Sequence, residues 1–168
     1  MWSSDGTRIL FRFDRIEGQT GVQNNELRIL DLNTGRAESI AGSHQKFNQR
    51  WSPDGRWIVA TPNNEKELDL YDVSSGRWSV LVNMIADYPY WSTDSRYIYY
   101  CTHTQAGAGV YRAGLESHKP EFVASLTNSA RIIDEMWGQW LGLTPDGEPL
   151  ILRTADLQQI YLLSFEDR

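Results

Sequence analysis

Arg50-Trp51-Ser52-Pro53-Asp54-Gly55-Arg56-Trp57-Ile58-Val59-Ala60 recurs along the chain with altered wording but constant spacing. Met1-Trp2-Ser3-Ser4-Asp5-Gly6-Thr7-Arg8-Ile9-Leu10-Phe11 precedes it, Trp91-Ser92-Thr93-Asp94-Ser95-Arg96-Tyr97-Ile98-Tyr99-Tyr100 follows, and Leu143-Thr144-Pro145-Asp146-Gly147-Glu148-Pro149-Leu150-Ile151-Leu152 comes last. Counted from Trp2, Trp51, Trp91 and Leu143, the aspartate falls three residues on (Asp5, Asp54, Asp94, Asp146) and a branched aliphatic seven on (Ile9, Ile58, Ile98, Leu150). Ser-Pro-Asp-Gly has tight-turn chemistry: proline presets φ, aspartate bonds back to nearby backbone, and glycine accepts positive φ. The apolar, β-branched and aromatic run beyond it suits a strand. Each copy reads as strand, turn, strand.

A second line follows each first one. Leu27-Arg28-Ile29-Leu30-Asp31-Leu32-Asn33-Thr34-Gly35, Leu68-Asp69-Leu70-Tyr71-Asp72-Val73-Ser74-Ser75-Gly76, Gly109-Val110-Tyr111-Arg112-Ala113-Gly114 and Gln159-Ile160-Tyr161-Leu162-Leu163 read as further strands, the first three closed by Gly35, Gly76 and Gly114. A fourth strand follows in three copies, at 37–40, 78–82 and 121–125. The unit is a four-stranded meander. Motif starts lie 49, 40 and 52 residues apart (2 to 51, 51 to 91, 91 to 143), the spacing of a propeller blade with variable loops.

Trp-Ser-Pro-Asp-Gly with Ile-Val-Ala behind it, then Leu-Tyr-Asp-Val with glycine beyond, resembles the repeat of TolB-like, WD-repeat-like bacterial β-propellers across nearly the whole chain. The last copy is similar to the closing segment of propellers that follow a bacterial winged-helix or protein-kinase domain. The resemblance implies an all-β fold: one propeller segment over residues 1–168, in repeats of about 1–46, 47–86, 87–136 and 137–168. The last repeat lacks its outer strand, so an open or partial ring is expected, the C-terminal part of a longer propeller or half of a ring that self-associates into a homo-oligomer through its open blade edges. Two stretches break the pattern. Residues 15–25, rich in Gly, Gln and Asn, read as a long mobile loop, and 127–140 reads as a loop entering an inner strand at 137–143, with a short helical turn as the alternative.

Seven Trp and eight Tyr among 168 residues fit a β-rich interior in which flat rings fill the space between stacked sheets. A net charge of −6 without a basic stripe argues against a nucleic-acid partner, because phosphate neutralisation needs clustered Lys and Arg. Cys101, the single cysteine, lies in a strand and reads as a buried structural thiol. No apolar run is long enough to span a membrane, and no leader pattern is visible in the chain as given, which leans towards the cytoplasm over the periplasm.

Aspartate in each motif is a tempting acid, base or metal ligand, yet in Ser-Pro-Asp-Gly its local work in the turn is the stronger reading. Trp2, Trp51 and Trp91 are expected to pack between adjacent blades. His44 and His103 fall on one rim and His118 on the other, so they form no three-ligand metal cluster and no Ser/His/Asp set. Neither a nucleophile elbow nor a phosphate-binding glycine loop occurs. The expectation is therefore no catalytic residue, no metal and no cofactor. What remains is the rim carrying the long, polar, dissimilar loops, where a rigid scaffold usually places recognition. Its candidate binding residues are His44, Gln45, Lys46, Asn48, Asn64, Asp87, His103, Gln105 and Asp134, for a protein or peptide partner. The leading functional expectation is a non-catalytic protein-interaction or sensory module, possible as the C-terminal part of a bacterial regulator. The alternatives are the propeller domain of a prolyl-oligopeptidase-like hydrolase and a periplasmic TolB-like envelope component.

Overall fold

The computed structural model describes residues 1–17, 22–104, 107–126 and 141–151. The expected strand at 159–163, the helical alternative at 127–140, and the candidates Gln105 and Asp134 lie outside the described residues.

Thirteen strands are described, and all their pairings are antiparallel. Blade 1 consists of β1 (Arg8–Glu17), β2 (Val22–Asp31) and β3 (Ala37–Ser39) in that order. Its innermost position holds a stub, Trp2 bridging Ile9, with the Ser3 N–H donating to the Arg8 carbonyl at 2.9 Å. Blade 2 is the meander β4 (Lys46–Trp51), β5 (Trp57–Pro62), β6 (Leu68–Asp72), β7 (Arg77–Val82). Blade 3 repeats it as β8 (Asp87–Trp91), β9 (Tyr97–Thr104), β10 (Gly107–Gly114), β11 (Pro120–Ser125). Of blade 4 the described part is the hairpin β12 (Leu141–Leu143) and β13 (Pro149–Ile151). These are β-propeller blades.

The motif turn is a closed hydrogen-bond knot. In blade 2 the Ser52 hydroxyl donates to Asp54 Oδ1 at 2.6 Å while accepting the Trp57 N–H at 2.9 Å, and Asp54 Oδ1 also accepts the Arg56 N–H at 3.0 Å. The Gly55 N–H closes the turn onto the Ser52 carbonyl at 2.9 Å. Blade 1 repeats the knot with Ser3, Asp5, Thr7 and Arg8, and blade 3 with Ser92, Asp94, Arg96 and Tyr97. The fourth copy departs for a covalent reason. Proline at 149 has no N–H to give, so Thr144 Oγ1 accepts the Glu148 N–H instead, at 3.0 Å.

The glycine position needs positive φ, 74° at Gly55, and blade 3 fills it with Ser95 at 60°. Serine is strained there, but its buried hydroxyl accepts the Asp54 N–H of the neighbouring blade at 3.0 Å. A similar exchange occurs at the second turn. Gly35 and Gly76 take φ of 68°, each donating its N–H to the carbonyl of the aspartate four residues back, Asp31 or Asp72. In blade 3 the corresponding bond runs from His118, φ 53°, to Gly114. The expectation that Gly114 closes that line is thus corrected: Gly114 sits where the other blades have aspartate, and His118 takes the closing role.

Between blades the core is a stack of faces. Trp51, Ile58 and Ala60 bury themselves against Leu10, Leu27 and Ile40 of blade 1. Trp91, Ile98 and Tyr100 do the same against Val59, Leu68 and Leu70 of blade 2, and Leu141 packs against Cys101 and Val110 of blade 3. The indole N–H of Trp91 donates to the Arg50 carbonyl at 3.1 Å. Trp2 breaks the expected pattern, because it is 60% exposed: no blade of the described chain lies against its side.

The second correction concerns residues 15–25. Residues 15–17 and 22–25 lie in strands, β1 and β2 staying paired out to Glu17 opposite Val22. Ladder bonds satisfy the backbone of a polar stretch whatever its side chains, so composition misleads where strand pairing continues.

Two outcomes follow for the turn. Ser52→Ala removes a hydroxyl that is buried and doubly engaged and strands the Trp57 N–H, so thermal denaturation should show a loss of about 1–3 kcal/mol. The second outcome concerns acid. The Asp5 carboxyl falls to about 2 from its ordinary 3.8 because it accepts first the Ser3 hydroxyl and then the Thr7 N–H, and Asp94 is lowered by its Ser92 and Arg96 partners in the same way. A depressed folded-state pKa contributes stability present above the unfolded value and lost as pH falls through the folded one. Tryptophan fluorescence should therefore report a stability plateau above pH ~4 that falls away towards pH ~2.

Candidate functional site

The upper rim, opposite the aspartate turns, is uneven, and strand register says by how much. Phe11 opposite Arg28, Ala60 opposite Asp69 and Tyr100 opposite Tyr111 are equivalent pairs in blades 1, 2 and 3. Beyond that level β1 and β2 continue for six more pairs (Arg12–Leu27 to Glu17–Val22), and β9 and β10 for four (Cys101–Val110 to Thr104–Gly107). Pairing of β5 with β6 ends at that level. At about 3.4 Å of rise per residue, two ribbons stand roughly 20 Å and 14 Å above it along their strands. Blade 2 forms a low notch between them.

The floor of that notch is cross-tied by main chain. Gln45 donates its N–H to the Asn25 carbonyl at 2.9 Å and accepts the Asn63 N–H at 2.8 Å, while buried Asn25 donates its amide to the Lys46 carbonyl at 3.0 Å. The Trp78 indole N–H donates to the Ala41 carbonyl at 2.8 Å, and a Cβ added to Gly42 would come within 3.1 Å of the Trp78 ring. Two loops, the one before β4 and the one after β5, are thus fixed against β2 and β7 in one surface that exposes His44, Gln45 and Asn64. The Asn64 carbonyl oxygen caps its own loop by accepting the Lys66 N–H at 3.0 Å. Ile85, 45% exposed, belongs to the loop after β7 on the same rim.

Three other sequence candidates are placed differently. Lys46 and Asn48 lie in β4 and Asp87 in β8, inside strands and not on loops. The Lys46 ammonium is committed to an ion pair with Asp69 on β6 and stands 5.0 Å from the Trp78 ring centre. Asn48 takes φ 51° within the bulge between Phe47 and Arg50, and Tyr88 takes φ 51° at the equivalent point of β8. Each lies three residues before its motif tryptophan, so the bulge is a repeat feature that bends the inner strands. Asparagine tolerates that conformation and tyrosine costs about 1–3 kcal/mol there; only Asn48 offered a sequence signal. Asp87 is paired in register with Cys101, whose thiol burial, seconded by Asp87, pushes up to about 12. Such a thiol is protonated and unreactive, as a structural cysteine should be. His103 falls in the upper part of β9, and His118 is on the opposite rim.

Sequence reading passed over one further concavity. A cleft of about 570 Å³ opens on the lower rim between blades 2 and 3, lined by Asp54, Arg56, Trp57, Asp94, Arg96 and Tyr97 among others. Arg56 lies 5.9 Å from the Trp57 ring centre and Arg96 6.0 Å from that of Tyr97, repeat-equivalent pairs. The Arg-aromatic dipeptide at a constant offset was the available signal. The cleft's two aspartates are held in their turns by Oδ1. Among the described residues no group of three or more His, Cys, Asp or Glu side chains is placed to hold a metal ion.

No sequence family and no curated protein matches the chain. Solved structures do. TolB from Acinetobacter baumannii superposes with a TM-score of 0.61 at 16% identity, covering 88% of this chain and 43% of that one. The β-propeller domain of the Trilobed protease from Pyrococcus furiosus, described as having an open velcro topology, gives 0.60 at 17%, covering 88% and 54%. The tricorn protease gives 0.60 at 19%, covering 84% and 14%. The fold is that of TolB-like and tricorn-type β-propellers, and the chain spans about half or less of each of these proteins.

A substitution set separates the floor's framework from its exposed surface. Lys46→Ala leaves Asp69 as an unpaired, nearly buried charge and should cost about 3 kcal/mol in chemical denaturation. His44→Ala should stay within about 0.5 kcal/mol of wild type, and Lys46→Met with Asp69→Leu should recover most of the loss.

Proposed function

We propose that the chain is a non-catalytic β-propeller module that recognises a polypeptide partner at the notch above blade 2. The carrying observation is the step in rim height: two ribbons flank a low floor whose backbone is cross-tied between blades while His44, Gln45 and Asn64 point outward. A binding surface gains affinity when its loops are already held in place, because little ordering entropy remains to be lost on association. Exposed amide, imidazole and aliphatic groups on that floor suit the mixed polar and apolar surface of a protein or peptide. Net charge of −6 disfavours nucleic acid at this surface. The activities carried in the names of the structurally similar proteins belong to those proteins.

Site-specific photocrosslinking tests the reading. A crosslinker at position 44 or 64 in the source cell should capture a discrete protein, and one at position 118 on the opposite rim should not capture it. Capture should fall at least ~10-fold when Gln45→Ala and Asn64→Ala are combined, since each truncated hot-spot contact costs roughly 1 kcal/mol or more. Equal capture from both rims, or hydrolytic turnover by the purified chain, would refute it.

A further inference from the structure

Among the described residues two buried side-chain polar atoms have no hydrogen-bond partner in the protein, the hydroxyls of Thr61 and Thr102. Both residues are completely buried. They face the same joint. Thr61 follows Val59 by two residues in β5, Thr102 follows Tyr100 by two in β9, and alternate residues of a strand share a face. Val59 and Tyr100 belong to the core that blades 2 and 3 build together, so the two threonines stand on the two faces that close this seam. Relative to the level shared by Ala60 and Tyr100, Thr61 is one residue higher and Thr102 two, beside the step where the notch begins.

The repeat does not dictate threonine at either place. Blades 1 and 3 carry Arg12 and Cys101 where blade 2 has Thr61, and blades 1 and 2 carry Phe13 and Pro62 where blade 3 has Thr102. Valine would fill nearly the same volume, and a hydroxyl buried without a partner lowers the folding equilibrium ~5- to 150-fold. Tyr100, in the same seam, shows the usual outcome, its hydroxyl donating to Met84 Sδ at 3.3 Å. The outer side is roofed: Gly109, paired with Thr102, lies under the Tyr111 and Phe122 rings, which a Cβ there would meet at 3.2 and 3.4 Å. Facing sheets stand ~10 Å apart, a threonine oxygen reaches ~2.5 Å out of its sheet, and the two residues are staggered by ~3.4 Å, which leaves the oxygens about 5–6 Å apart. That is too far for one hydrogen bond of ~2.8 Å and matches two in series. We infer that a buried ordered water bridges Thr61 and Thr102, giving each hydroxyl its partner. Such waters sit where buried polar groups are otherwise unsatisfied, with two to four bonds each. This one ties blade 2 to the base of the blade 3 ribbon near the upper rim, above the direct ties of Trp91 to Arg50 and Ser95 to Asp54.

A high-resolution crystal structure and a double-mutant cycle test this together. Wild type should show an ordered water ~2.6–3.2 Å from both threonine oxygens. In chemical denaturation Thr61→Val and Thr102→Val should each lower the folding equilibrium ~5- to 20-fold, because either one leaves the water and the remaining hydroxyl a bond short. The double variant expels the water from a seam that is then apolar, so it should lose no more than one single variant does. The wild-type density decides by itself should a valine variant fail to fold. No water at that place, or one that touches a single threonine, overturns the proposal. So does a valine variant more stable than wild type, the result expected on deleting a true orphan, or a double variant whose losses simply add.

Discussion

A serine hydroxyl that donates to a carboxylate two residues on and accepts the N–H of the residue five on is the constraint on which blades 1, 2 and 3 depend. Ser3, Ser52 and Ser92 all do this. The bond pair fixes where the inner strand ends and where the next begins, and strand register follows from turn geometry. Register decides which side chains face the neighbouring blade. Trp51 and Ile58, seven residues apart and paired across β4 and β5, both reach the blade 1 core only because the turn between them has one shape. Slipping the pairing by one residue would turn the buried set to the other face. The aspartate is thereby accounted for as a structural acceptor, and its lowered pKa at Asp5 and Asp94 reflects the donors that the turn supplies.

Blade architecture was legible in the sequence because the turn imposes residue types at fixed offsets, and repetition multiplies a weak signal. Departures were legible only when they changed chemistry in a recognisable way. Pro149 announces its missing donor, and the shift of the Thr144 bond to Glu148 follows. Ser95 and His118 at positive-φ positions gave no comparable sign, since L-residues enter that region only when surrounding contacts compel it. The β1–β2 ribbon was hidden for another reason: its tip-proximal residues carry no alternating apolar pattern, and pairing there is sustained by the ladder itself. Of the candidate rim residues, His44, Gln45 and Asn64 are exposed on loops as expected. Lys46 was misplaced because its partner Asp69 lies 23 residues away in another strand, a distance over which sequence carries no pairing rule.

Scaffold and recognition are separated by rim. The lower rim is occupied by the motif turns, whose aspartates are engaged by backbone and hydroxyl donors, and it varies little from blade to blade. Turns on the upper rim answer to no shared motif, so ribbon length and loop composition are free to differ there. Among blades 1 to 3, blade 2, the most regular of the meanders, supplies the lowest part of that rim, and its neighbours supply the height.

Polar ties join the blades at more than one height. Asn25 meets Gln45 and Lys46 near the upper rim of the first joint, and lower down the same joint the Trp51 N–H donates to Met1 Sδ at 3.1 Å; at the second joint Trp91 meets Arg50 and Ser95 meets Asp54. A joint pinned at two heights cannot splay at either edge without breaking a hydrogen bond, so the notch floor is held at a fixed height against the blade 1 ribbon.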